Sequence, residues 1–280
     1  MGNFYTRTLT AVWIVIFILG GFWLHPVSFF ITGLLLLAGA QYEYYQMIRS
    51  TGVRPQMITG IIAGCALYII STFVAAGLLS NEYFLIFIPL TLIIMAAELY
   101  RKHEKPFDSL AHTFFAVIYI AVPFSLFPFS AFSRTGFNSL LAHPDIVFSP
   151  GIVVGFLLLL WANDTGAYLT GVAIGRHRLM ERISPKKSWE GFFGGMIVAL
   201  LAAWLLSHWL GLVDTSGWLI ISLIISVAGT SGDLIESMLK RSIGVKDSGS
   251  ILPGHGGFLD RFDSAIISFP LVYLFISLFG

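Results

Sequence analysis

Nine stretches of this chain are apolar over about the length a helix needs to cross a bilayer, roughly 20 residues. They cover about 9–25, 27–48, 57–80, 83–100, 110–133, 150–175, 191–211, 216–240 and 260–279. A backbone inside a bilayer finds no water to bond, so each run has to close its hydrogen bonds internally as a helix. The fold this dictates is all-α: a polytopic integral membrane helical bundle of about nine transmembrane helices. The charge content agrees, because only 11% of the 280 residues are charged, against about 25% in a soluble domain. Cys65 is the single cysteine and lies in an apolar run, which excludes an internal disulfide. Arg7 followed by LTAVWIVIFILGGFWLHP has the look of a signal sequence. It lacks a small-x-small cleavage site and another span follows at once, so it reads as a retained first helix. No internal repeat, low-complexity tract or soluble domain longer than a loop is visible.

Basic residues orient the spans. Arg7 precedes the first; Arg49 and Arg54 follow the second; Arg101, Lys102 and Lys105 follow the fourth. Arg176, Arg178, Arg182, Lys186 and Lys187 follow the sixth, Lys240, Arg241 and Lys246 follow the eighth, and Arg261 opens the ninth. Only Arg134 falls in the opposite loops, so fifteen of sixteen basic residues share one side. That side is expected to be the cytoplasm, which puts the N-terminus inside and requires an odd number of spans. The chain divides into N-terminal transmembrane helices over 1–149, about five spans, and a C-terminal catalytic region over 150–280, about four spans with cytoplasmic loops.

The first five spans carry little chemistry. QYEYYQMI, with Glu43 among its tyrosines, reads as an aromatic belt with an interfacial acid. Pro123 and Pro128 are expected to kink the fifth span, and residues 134–148 to form a loop or short surface helix.

Chemistry begins in the sixth span, LLLLWANDTGAYLTGVAIG, where Asn163 and Asp164 sit near the middle. An ionisable group there costs a few kcal/mol and is usually functional, though packing against a neighbouring helix would also explain it. The next loop contains SPKKSWEG, from Ser184 to Gly191, which sets Lys186 and Lys187 before a helix start, a place suited to phosphate. A positive-inside anchor with a capping serine is the plainer reading of the same residues. Gly171 with Gly175, and Gly191 with Gly195, make two GxxxG patterns that permit close helix contact.

Asp233, Glu236 and Lys240 recur at i, i+3 and i+7 in the eighth span and so share a helix face. Asp260 and Asp263 do the same at the start of the ninth. Between them Ser237–Ser264 is the most charged and glycine-rich stretch of the chain, two charged helix ends joined by a cytoplasmic loop. Asp164, Asp233, Asp260 and Asp263 can therefore converge from three helices, and repelling carboxylates are tolerated around a hard cation. All-oxygen ligation beside phosphate favours Mg²⁺, and no histidine or cysteine set has zinc spacing. Lysines, arginines and a glycine loop beside such a site suit a nucleoside triphosphate. GxxxxGK[ST] is absent, so it is not a P-loop.

SMLKRSIGVKDSGSILPGHGGFLDRFD resembles the signature S-x-x-K-R-x4-K-D-x-G-x2-L-P-x-H-G-G-x-x-D-R-x-D of the phosphatidate cytidylyltransferases, or CDP-diacylglycerol synthases. WANDTGAY, SPKKSWEG and SGDLIES are similar to further segments of that family, so the resemblance covers roughly 158–264. It implies the reaction of CTP with phosphatidic acid to give CDP-diacylglycerol and pyrophosphate, with Mg²⁺, a second monovalent cation such as K⁺, and a homodimer. It implies a bacterial cytoplasmic membrane enzyme whose site faces the cytoplasm, with the lipid bilayer and no nucleic acid as partner. Asp233 and Asp260 are its expected metal ligands, with Asp164 and Asp263 beside them. The same four, with Lys240 and Arg241, are expected to carry catalysis. Ser184, Lys186, Lys187, Lys246, Asp247, Gly254, His255, Gly256, Gly257 and Arg261 are expected to bind substrate. His255 has two readings, proton transfer or phosphate binding on one hand and loop stabilisation on the other. A CDP-alcohol phosphotransferase is disfavoured because its DG-x2-AR-x8-G-x3-D-x3-D run is missing. A cytidylyltransferase acting on an ether lipid is a related alternative. An ion-coupled carrier is disfavoured because the charges gather on one side around glycine loops and no inverted repeat appears.

Overall fold

The computed structural model describes residues 2–102, 104–134, 146–245, 248–249 and 257–279, with side chains from Trp13 onward apart from Ser133 and Arg134. Among the described residues nine continuous helices follow the nine apolar runs: α1 Gly2–Trp23, α2 Pro26–Arg49, α3 Met57–Ala75, α4 Asn81–Tyr100 and α5 Pro106–Ala131, then α6 Gly151–Ile174, α7 Trp189–Leu210, α8 Thr215–Ser242 and α9 Leu259–Phe279. The seven from α3 to α9 are long and apolar enough to cross a membrane, and α1 and α2 have 22 and 24 residues. The protein is a polytopic helical membrane protein. Large apolar side chains such as Leu99 and Trp209 stand more than 80% exposed, which suits a surface whose solvent is lipid.

Among the described residues two helices contain a widened turn. In α5 it spans Val117–Ala121, two residues before Pro123. Proline has no N–H to donate and its ring crowds the carbonyl one turn back, and a wide turn relieves both. In α8 it spans Ile225–Gly229, directly before the Thr230–Ser242 portion that carries Asp233.

The chain forms two compact units, residues 1–150 with 247–259, and residues 151–246 with 260–280. In the first, Phe22 meets Phe29 and Phe127 edge-on at 5.0 and 5.9 Å. β1 Phe132–Arg134 pairs antiparallel with β2 Ile146–Phe148, so the described ends of the segment expected as a loop or helix are strands. The tyrosines of QYEYYQMI are not an interfacial belt. Tyr44 and Tyr45 are fully buried and only Tyr42 is exposed. The Tyr45 hydroxyl donates to the Thr113 carbonyl at 2.8 Å, and the Tyr44 hydroxyl meets His112 Nδ1 at 2.8 Å. Polar partners on α5 are what allow these rings inside.

In the second unit α6 packs along α7 through small residues. A Cβ on Gly195 would stand 2.6 Å from the Asn163 carbonyl oxygen and 2.9 Å from the Ala167 Cβ. The GxxxG pattern thus buys helix contact beside Asp164. Phe156 of α6 meets Phe269 of α9 edge-on at 4.9 Å. A hairpin of β3 Arg178–Met180 and β4 Ser184–Ser188 leads into α7. Ser188 caps that helix, its Oγ accepting from Gly191 N at 3.1 Å, and Asp214 caps α8 through Gly217 N at 2.8 Å.

Candidate active site

The charged face of α8 is the centre of the second unit. Its helical spacing stacks Asp233, Glu236 and Lys240 one turn above another. Glu236 is wholly buried and Lys240 is 8% exposed. The Lys240 ammonium stands 2.5 Å from Glu236 Oε2 and 2.6 Å from Asp260 Oδ1, so one cation bridges an acid of its own helix and an acid of α9. A buried carboxylate is costly without a counter-charge, and the Lys240 ammonium supplies one to Glu236.

Asp233 is held from a different direction. Lys187 of β4 places its Nζ 2.6 Å from Asp233 Oδ2, and Ser237 Oγ donates to Asp233 Oδ1 at 3.2 Å. Successive strand residues face opposite ways: Lys187 turns to the carboxylate while Lys186 is exposed. Lys187 is thus presented from a strand, where the sequence suggested only a loop before a helix.

Asp263 is 8% exposed and its Oδ1 accepts from Ser264 N at 2.6 Å. It lies within electrostatic reach of Asp233, Glu236 and Asp164, and Asp164 within reach of Lys187 and Asp233. Gly232 makes this approach possible, since a Cβ there would stand 2.6 Å from the Asp263 carbonyl oxygen and 3.1 Å from the Ser264 Cα. Glycine next to Asp233 lets α9 come against α8 backbone to backbone. Asp164 itself is exposed in the middle of α6.

The structure therefore brings together Asp164, Asp233, Asp260, Asp263, Lys187 and Lys240 in one unit. Glu236 joins them; the sequence showed it on the right face, and its i, i+4 spacing to Lys240 was the signal that it belonged to the cluster. Arg241 does not turn to the acids, and its Nη1 donates to the Val245 carbonyl at 3.1 Å. Arg261 is exposed at the start of α9, and Ser184 is half-buried opposite Met180 in the hairpin. Gly257 belongs to the other unit, buried before α9. Lys246, Asp247, Gly254, His255 and Gly256 lie outside the described residues.

Five carboxylates here face two ammonium groups, and every acidic donor is a hard oxygen, a composition that suits a divalent cation such as Mg²⁺. Among the described residues no three acidic, histidine or cysteine side chains stand as ligands around one point.

The cytidylyltransferase family profile matches residues 5–279. The phosphatidate cytidylyltransferase of Staphylococcus haemolyticus (strain JCSC1435) is 33% identical over 278 residues, covering 96% of this chain and 98% of that protein. The Bacillus subtilis (strain 168) protein of the same name is 32% identical over 255 residues, 88% of this chain and 89% of its own length. That of Staphylococcus aureus (strain COL) is 46% identical over 121 residues, 42% of this chain and 46% of its own.

Proposed function

Because the chain belongs to the cytidylyltransferase family, we propose that the acid–lysine cluster of β4, α6, α8 and α9 is where its reaction takes place. The protein is a nucleotidyltransferase of phospholipid biosynthesis, transferring a cytidylyl group from CTP to phosphatidic acid to give CDP-diacylglycerol and pyrophosphate. The observation that carries the site assignment is the Lys240 ammonium bridging Glu236 and Asp260 inside a membrane-spanning helix. Charges kept there at such cost mark function.

A phosphomonoester has its second pKa near about 6, so phosphatidate is largely a dianion at neutral pH. One of its oxygens bonds to the α-phosphorus of CTP as the bond to the bridging oxygen breaks, and pyrophosphate leaves with that electron pair. No strong base is needed. The protein's work is to align the two phosphates and offset their charge. Lys187 and Lys240 do this from within the cluster. Arg241, Arg261, Lys186 and Lys246 bind phosphate oxygens from outside it, and Ser184, Asp247, Gly254, His255, Gly256 and Gly257 line the substrate.

Asp233 and Asp260, with Asp164 and Asp263 beside them, would hold Mg²⁺, which when bound offsets charge on the triphosphate. A site on the cytoplasmic side is supported by the fifteen basic residues of one side. A monovalent cation such as K⁺ and a homodimer rest on the family resemblance. Purified protein given CTP, phosphatidate and Mg²⁺ should release one pyrophosphate per CDP-diacylglycerol. Pyrophosphate without the lipid product, or no pyrophosphate, would overturn the reading.

A further inference from the structure

Outside that cluster the most unusual acid is Glu43, 2% exposed in α2. A carboxylate so enclosed is kept only where donors surround it. Its described donors come from one segment. Oε2 accepts the Leu259 backbone N–H at 3.0 Å and the Ser248 hydroxyl at 3.4 Å. Two glycines complete the enclosure: a Cβ on Gly249 would stand 2.7 Å from Oε1, and one on Gly257 would overlap Oε2 and the Ser248 hydroxyl. Ser248–Gly249 and Gly257–Leu259 thus meet the same carboxylate.

Leu259 is the first residue of α9. Its N–H is one of four that a helix start leaves without an intrahelical partner, and a negative charge there also favours the helix dipole. Glu43 therefore caps α9 from another helix. One turn earlier on α2, Gly39 seats the Phe258 ring, where a Cβ would stand 3.0 Å from Cδ2. Positions 39 and 43 share a helix face, and that face of α2 is shaped to receive the segment.

We propose that Glu43 is a positioning residue for cytidylyl transfer: it gathers Ser248, Gly249, Gly257 and Leu259 about one carboxylate and caps the first residue of α9. The inference rests on the assignment of that segment to substrate binding. An acid that served folding alone would change the amount of active protein and leave the Michaelis constant untouched.

The test compares Glu43→Gln with His255→Ala, Lys246→Ala and the Glu43→Gln/His255→Ala pair, in full-length protein in detergent or vesicles. Glu43→Gln should raise the KM for CTP about tenfold, the scale of one lost charged hydrogen bond. Its effect should be less than additive with His255→Ala, because both act through one segment. An unchanged KM in Glu43→Gln, with KM raised by His255→Ala or Lys246→Ala, overturns the role of Glu43 and leaves the site assignment standing. If neither loop variant moves the KM, the assignment of the segment fails, and the positioning role with it. Should Glu43→Gln not fold, Gly39→Val displaces Phe258 without touching the carboxylate. It should raise the KM in the same direction, and an unchanged KM there also overturns the proposal.

Discussion

Lys240 Nζ and Asp260 Oδ1 stand 2.6 Å apart across twenty residues of chain, with Glu236 Oε2 2.5 Å from the same ammonium. One lysine thus ties the charged end of α8 to the first turn of α9. Removing it does two things at once, because it deletes a charge proposed to bind phosphate and strands a fully buried acid.

Lys240→Met should accordingly abolish most activity and destabilise the protein by about 3–5 kcal/mol, the cost of breaking a buried ion pair from one side. Adding Glu236→Gln should restore much of the lost stability and none of the activity. Thermal unfolding in detergent read beside turnover checks both halves.

Lys186 and Lys187 are neighbours with different surroundings, and their alanine variants should differ. Lys187→Ala removes the ammonium held 2.6 Å from Asp233 and should lower kcat at least about a hundredfold, the scale of a lost charge in a low-dielectric site. Lys186→Ala should act mainly on the KM for CTP. Steady-state kinetics on the two variants separates them.

Metal dependence should appear at the same acids. Chelation should stop turnover and Mg²⁺ restore it, and Asp233→Asn should raise the Mg²⁺ concentration needed for half-maximal rate. An Asp233→Asn curve that overlays the wild type would move the ion elsewhere.

Gly195 tests the packing that presents Asp164. Gly195→Val forces a branched side chain against the Asn163 carbonyl and Ala167 and should cost about 1–3 kcal/mol by overpacking, with a loss of activity. Gly211→Ala is the comparison, a left-handed helix end with open space around it, which should cost about 1 kcal/mol and leave kinetics unchanged.

Much of this architecture is written in hydropathy and charge. Bilayer thickness alone sets the length of an apolar run, so the nine helices could be placed from residue order. The i, i+3, i+7 spacing of Asp233, Glu236 and Lys240 could be read the same way. What periodicity does not carry is which partner an acid finds. That Lys187 and not Lys186 meets Asp233 depends on a short strand, and no rule of apolar spacing announces a strand of five mostly polar residues. The burial of Tyr44, Tyr45 and Glu43 was missed for a related reason. A tyrosine-rich helix end is compatible with both a belt and a core, and what decides is polar partners 68 to 216 residues away. The spacing of Gln41, Tyr44, Tyr45 and Ile48, all buried, was the available hint.

The most direct test is turnover by Asp260→Asn, a change that keeps the shape of the side chain and removes its charge. With wild-type protein forming CDP-diacylglycerol under the same conditions, the folded variant should lose at least about a thousandfold in kcat, as expected for a group that places transition-state charge. Near wild-type turnover in folded Asp260→Asn protein would contradict the assignment of this acid–lysine cluster as the site of cytidylyl transfer.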